Sequence, residues 1–185
     1  MKTIRFATFD TLWGCFGLAA DGDAVCRTYL PQPDAGRLAR LIADDIGNAA
    51  RQESGLMRHL QERIEAYFEG ENVDFSTDPA VSLSGHGAFD QTVLATCRQI
   101  GPGHTVTYGQ LAEEAGSPGA ARAVGSVMAR NPIPLIIPCH RVLRSDGSLG
   151  GFSAPGGIAV KQRMLELERA ACGIDADLFA MCALQ

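Results

Sequence analysis

Apolar positions in the first third of the chain follow two different periods. Thr11–Leu18 and Val25–Leu30 read as strands, and Asp21-Gly22-Asp23 between them carries the residues of a hairpin turn. From Asp34 to Ala50 the period becomes helical, with Leu38, Leu41, Ile42 and Ile46 on one face. Ser54 is placed to cap a second helix that carries Leu56, Leu60, Ile64 and Phe68 and stops at Gly70. Asn72–Pro79 is a polar connection. A helix over Phe89–Ile100 follows, with Phe89, Val93, Leu94 and Cys97 at helical spacing, and Gly101-Pro102-Gly103 ends it. Thr107 and Gln110 have the spacing of a capping box for a short helix that stops at Gly116. Ser117 and Pro118 are the expected start of the next helix, which runs to about Arg130. The pair is a helix-turn-helix candidate. Ile136 and Ile137, punctuated by Pro134 and Pro138, read as a short buried strand.

These elements imply an α/β (α+β) chain with an α/β domain over residues 1–80 and a mainly helical domain over 81–185. The 185 residues, 46% hydrophobic and 20% charged, suit one or two small globular domains with a real core. Lys2 and Arg5 before an apolar stretch resemble a secretion signal, but Asp10 interrupts it. No run approaches the ~20 apolar residues of a membrane span. The expectation is a cytoplasmic protein, without membrane attachment, whose six cysteines are reduced. There is no C-x-x-C pair, and Cys15, Cys26, His59 and His86 fit no standard metal spacing. A metal site is therefore not expected from these spacings.

The formal charge of −5 argues against a nucleic-acid partner until its distribution is considered. Residues 1–100 hold nine Lys/Arg against fourteen Asp/Glu, whereas residues 101–185 hold seven of each. Between Arg122 and Arg163 six basic residues (Arg122, Arg130, Arg141, Arg144, Lys161, Arg163) face one acid, Asp146. A local basic face of that kind can contact phosphates although the chain is acidic.

Chemistry concentrates in Pro138-Cys139-His140-Arg141-Val142. A thiol becomes a strong nucleophile only as the thiolate, and a neighbouring imidazole is a common route to it. A basic, glycine-rich segment with Arg144, Gly147, Gly150 and Gly151 follows. Cys15, Cys26, Cys97, Cys172 and Cys182 read as packing residues. Ala120, Ala121, Ala123 and Gly125 make a slender helix from which Arg122 stands out. It suits either close approach to DNA or tight helix packing, and the sequence leaves the two level.

Several motifs then agree in order and spacing: Tyr108-Gly109-Gln110-Leu111-Ala112, Pro118–Gly125, Asn131-Pro132, Ile137–Val142, Gly150-Gly151-Phe152-Ser153, and Lys161 with Glu168. From about Phe89 to Glu168 the chain resembles the O6-alkylguanine-DNA alkyltransferases, the methylated-DNA–protein-cysteine methyltransferases. The resemblance implies a ribonuclease-H-like N-terminal domain and a winged-helix-like domain with a helix-turn-helix and an active-site loop. It implies a monomer that acts on double-stranded DNA carrying O6-alkylguanine, with O4-alkylthymine a further candidate, and needs no cofactor. Cys139 would take the alkyl group as a thioether, once and irreversibly. His140 would deprotonate it through a water, and Glu168 would orient His140. Asn131 would link the recognition helix to the active-site segment. Arg122, with Ala121 beside it, would fill the space left by the everted base. Tyr108 would crowd the flanking phosphate and assist protonation of guanine N3. Main-chain groups of Cys139, Val142 and Ser153 would read the base, with Phe152, Arg141 and Gly150 also at the DNA or base.

Two departures from the family pattern stand out. Phe152 occupies a position where many members carry tyrosine, and Ser153–Gly157 is longer than in the shortest members. Three other functions fit parts of the pattern. A non-catalytic lesion binder would lack the acceptor cysteine, a helix-turn-helix regulator would prefer one undamaged sequence, and a cysteine hydrolase would carry a protease signature that neither half shows.

Overall fold

The computed structural model of the chain describes residues 4–47, 51–53 and 55–174. It is a mixed α/β fold in two compact units. Among the described residues, one unit runs to Val73 and includes Thr77–Ser84 and Pro132–Pro134; the other comprises Asp74–Ser76, Gly85–Asn131 and residues 135–174.

The first unit is built on a four-stranded sheet: β1 (Arg5–Thr11), β2 (Gly14–Asp21), β3 (Ala24–Gln32) and β4 (Arg51–Gln52), in the order β3-β2-β1-β4. The pairs β1/β2 and β2/β3 are antiparallel, and β4 runs parallel to β1. Strand β2 is buried from Cys15 to Ala20 because both faces are covered. Helix α1 (Ala35–Ile46) packs Leu38 and Ile42 against Cys15, Phe6 and Tyr29. Helix α2 (Arg58–Glu69) sets Phe68 against Phe16 and Trp13, with ring centroids 5.9 and 5.2 Å apart.

The elements of this unit differ from the sequence expectation at three points. The strand expected from Thr11 starts at Gly14, because Leu12 and Trp13 form the turn that closes β1 onto β2; β1 itself was not recognised. Its period is broken by exposed Asp10 and by charged Arg5, so its sequence resembles a leader more than a strand. Asp34 caps α1 through Arg37 N, 2.7 Å from Oδ1, and the helix ends at Ile46 rather than Ala50; Asn48–Ala50 lie outside the described residues. Ser54 also lies outside them, and α2 begins after Met57 without a side-chain cap.

The second unit is mainly helical: α3 (Ala88–Arg98), α4 (Tyr108–Glu114), α5 (Ala121–Ala129) and α6 (Gly157–Ala171), with a short parallel pair of β5 (Val106–Thr107) and β6 (Val142–Leu143). Helices α3, α4 and α5 pack on one another through Val93, Leu94, Cys97, Leu111, Ala112, Val124 and Val127, all buried. The capping box is present: Thr107 Oγ1 accepts from Gln110 N, and the Gln110 side chain accepts from Thr107 N at 2.7 Å. Ser117 does not cap α5. Ser117–Ala120 is a turn closed by Ala120 N donating to Ser117 O at 3.1 Å, with Gly119 left-handed, and the helix starts at Ala121. No helix among the described residues is long and apolar enough to cross a membrane.

Candidate active site

The segment before Cys139 is not a strand. Ile136 lies in a turn and Ile137 makes only an isolated bridge, because Pro134 and Pro138 cannot donate to a ladder and Leu135 takes a left-handed conformation at φ 79°. Asn131 Nδ2 donates to Ile137 O at 2.7 Å and holds this turn against the end of α5. Cys139 then opens a single 3₁₀ turn, Cys139–Arg141, in which Arg141 N donates to Pro138 O and Val142 N to Cys139 O. A buried tight turn, rather than a strand end, presents the thiol.

Behind the thiol lies a charged interior cluster. Glu168, on α6, is 2% exposed and accepts from His140 Nε2 at 2.8 Å. It also accepts Arg141 as a fork, Nη2 to Oε1 at 2.8 Å and Nε to Oε2 at 2.9 Å. The remaining Arg141 nitrogen bonds the carbonyl of Ile100. Burial alone would raise the Glu168 carboxyl, but His140 and Arg141 hold it well below the usual carboxylate range. Burial pushes the His140 imidazole down, so it is neutral at rest. A neutral ring facing a carboxylate must carry its proton on Nε2. The lone pair is therefore on Nδ1, which is buried and bonded to no described protein group.

Cys139 is 7% exposed. Burial pushes its thiol up, while a hydrogen bond from Asn131 and the charge of Lys161 pull it down. Lys161 is fully buried on the same face of α6 as Glu168, and its Nζ donates to Val142 O at 2.6 Å.

The open side of Cys139 is a pocket of about 350 Å³ lined by Tyr108, Gly125, Met128, Ala129, Cys139, Gly151, Phe152 and Ser153. The structure thus brings together four residues predicted from sequence: Tyr108, Cys139, Phe152 and Ser153. Gly150 borders them with φ +66°, and a Cβ there would sit 3.3 Å from the Tyr108 hydroxyl. Met128 and Ala129 were not recognised as pocket residues; the signal was their helical spacing from Gly125, which puts all three on one face of α5. Arg122 is exposed near the start of α5, with Ala121 half-buried before it. Val142 is fully buried, its N–H committed to Cys139 O and one carbonyl lone pair to Lys161.

Two members of the expected basic face belong instead to the interior. Arg141, placed at the DNA by the sequence, is 2% exposed and bound to Glu168; Lys161 is fully buried. Their stems reach inward from the 3₁₀ turn and α6, where the carboxylate and a carbonyl satisfy them. Arg122, Arg130, Arg144 and Arg163 remain on the surface. Cys172 is half-buried rather than a core residue, and Cys182 lies outside the described residues. Among the described residues, no three His, Cys, Asp or Glu side chains group to hold a metal ion.

Residues 88–170 match the family model described as 6-O-methylguanine DNA methyltransferase, DNA binding domain. A methylated-DNA–protein-cysteine methyltransferase of Mycobacterium bovis is 42% identical over 127 residues, 69% of this chain and 74% of that protein. One from Methanothermobacter thermautotrophicus is 35% identical over 137 residues, 73% of this chain and 75% of its own. Among solved structures, Mycobacterium tuberculosis OGT in complex with DNA superposes with a TM-score of 0.74 at 33% identity, covering 95% of this chain and 98% of that one. The O6-methylguanine-DNA methyltransferase of Pyrococcus kodakaraensis gives 0.67 at 25% identity, covering 90% and 99%. Sequence and fold agree over most of the chain, and so the protein belongs to the methylated-DNA–protein-cysteine methyltransferase family.

Proposed function

We propose that this chain repairs DNA by direct reversal, taking the alkyl group of O6-alkylguanine onto Cys139. One observation carries the reading: the Cys139 thiol lines a pocket while His140, its tautomer fixed by Glu168, offers a basic Nδ1 with no hydrogen-bond partner among the described residues. The Cys139 proton passes to Nδ1, through a water, and the sulfur keeps the electron pair. Glu168 stabilises the imidazolium that results. The thiolate attacks the alkyl carbon in line; the C–O6 bond breaks and its electrons go to the guanine. Tyr108 assists by protonating the departing base at N3. A thioether does not hydrolyse, so each molecule acts once.

The target atom is stacked inside the duplex, so the nucleotide must be everted. Arg122, exposed on α5, fills the space it leaves, and Phe152 stacks on the base in the pocket. Gly150 and Gly151 let the loop approach it closely. The first unit is read as ribonuclease-H-like. The second is read as a winged-helix-like module in which α4 and α5 form the helix-turn-helix. The protein works as a monomer on double-stranded DNA.

The test is a duplex with a labelled O6-methylguanine. Transfer should reach one methyl per protein molecule and stop, and Cys139→Ala should abolish it while DNA binding persists. Continued turnover, or label transferred by Cys139→Ala, contradicts the reading. Binding without any transfer would favour the lesion-binder alternative.

A further inference from the structure

Lys161 is one of the largest side chains with no exposure at all. Among the described residues its ammonium meets no carboxylate; its hydrogen bond goes to a neutral carbonyl, Val142 O, at 2.6 Å. The carboxylate on the same helix face, Glu168, is fully engaged by His140 and Arg141. An ammonium buried on a carbonyl is costly unless an anion forms nearby. The group that can become that anion is close along the hydrogen-bonded turn: Lys161 holds Val142 O, and Val142 N holds Cys139 O.

We propose that Lys161 is the counter-cation of the Cys139 thiolate, a positioning residue whose charge makes proton transfer to His140 accessible. The proposal rests on Cys139 being the acceptor. Before transfer, thiol and imidazole are neutral and Lys161 is uncompensated. After the S–H proton has moved to His140 Nδ1, two ion pairs stand side by side: thiolate with Lys161, and imidazolium with Glu168. One face of α6 thus supplies a cation for the nucleophile and an anion for the base.

The groups around the two partners are few. Burial brings the Lys161 ammonium down to about 8, with Arg144 after β6 adding to the fall, while Cys139 and Cys97 on α3 act in the opposite direction and favour its charged form. Cys97 and Tyr108 on α4 both feel a charge on Cys139. Cys97 is itself fully buried, which pushes its thiol well up and leaves Cys139 as the sulfur to ionise.

The experiment is single-turnover methyl transfer from the labelled duplex across neutral and alkaline pH, with Lys161→Met and Lys161→Arg beside the wild type. For Lys161→Met the rate should fall about tenfold or more at neutral pH and recover as the pH rises, the midpoint moving up by about one unit. Lys161→Arg should keep the wild-type midpoint even where its rate falls. A uniform loss in Lys161→Met, with the midpoint unmoved, overturns the proposal and leaves a purely structural lysine. Should Lys161→Met not fold, the wild type decides: lysine NMR titration before and after stoichiometric methylation of Cys139 should show the Lys161 signal titrating lower once the sulfur is blocked. An unchanged Lys161 titration overturns the proposal. Absence of methyl on wild-type Cys139 sinks instead the acceptor assignment, so the two failures are distinguishable.

Discussion

Glu168 holds the His140 and Arg141 side chains with one carboxylate, so its loss exposes two deficits. Glu168→Gln leaves the buried Arg141 guanidinium without its anion, and the cost should be about 3–5 kcal/mol by chemical denaturation. Transfer should also fall, because an amide does not fix the Nε2–H tautomer of His140. The same residues set the acid limb of stability. His140 is buried neutral with its folded value pushed down, so stability is full above its unfolded value of about 6.5 and declines as the pH falls below it. Glu168, also held down, adds a second loss below about pH 4.3. Unfolding free energy measured against pH should therefore drop in two stages, and His140→Asn should remove the first. Cys139 and His140 were legible in the sequence because adjacency alone brings a thiol and an imidazole into one neighbourhood. Arg141 and Lys161 were misjudged because a charge in sequence carries no mark of burial; only the partner twenty-seven residues away shows that Arg141 points inward.

At the scale of elements, α4 was predicted down to its capping box, since every participant lies within four residues. Thr107→Ala removes the acceptor for Gln110 N and should cost about 1 kcal/mol, read as a shift in the denaturation midpoint. The start of α5 was misplaced because Ser117-Pro118 is as good a turn opening as a helix opening, and left-handed Gly119 decides for the turn. Ile136–Ile137 reads as a strand by composition, yet the flanking prolines and Leu135 fold it into a turn that delivers Cys139. Close approach also governs the loop after β6. Gly150→Ala adds a Cβ at φ +66° against the Tyr108 hydroxyl, so it should slow methyl transfer more than it weakens DNA binding, measured as separate rate and affinity on one duplex.

Across the whole molecule the charge is acidic, and within the basic segment from Arg122 to Arg163 the surface residues left after Arg141 and Lys161 are removed are Arg122, Arg130, Arg144 and Arg163. Arg130 lies 3.6 Å from Asp90, which spends part of its charge within the protein. Binding to DNA should still weaken linearly with the logarithm of salt, but with a slope set by fewer phosphates than six basic residues suggest. Arg122→Ala should reduce that slope by about one if Arg122 contacts a phosphate. It should leave the slope unchanged, and slow transfer, if Arg122 only fills the space of the everted base. The α/β-then-helical order was legible from the change in hydrophobic period. The assignment of Pro132–Pro134 to the first unit was not, because it depends on β3: Thr28 N and Oγ1 donate to Pro132 O and Pro134 O, more than a hundred residues on. The most direct test of the molecule's chemistry is to react it with excess O6-methylguanine duplex, digest it, and locate the added methyl by peptide mass among the six cysteines. The expected result is quantitative methylation of Cys139 with the other five unmodified. Full repair of the duplex with an unmodified Cys139 would contradict it.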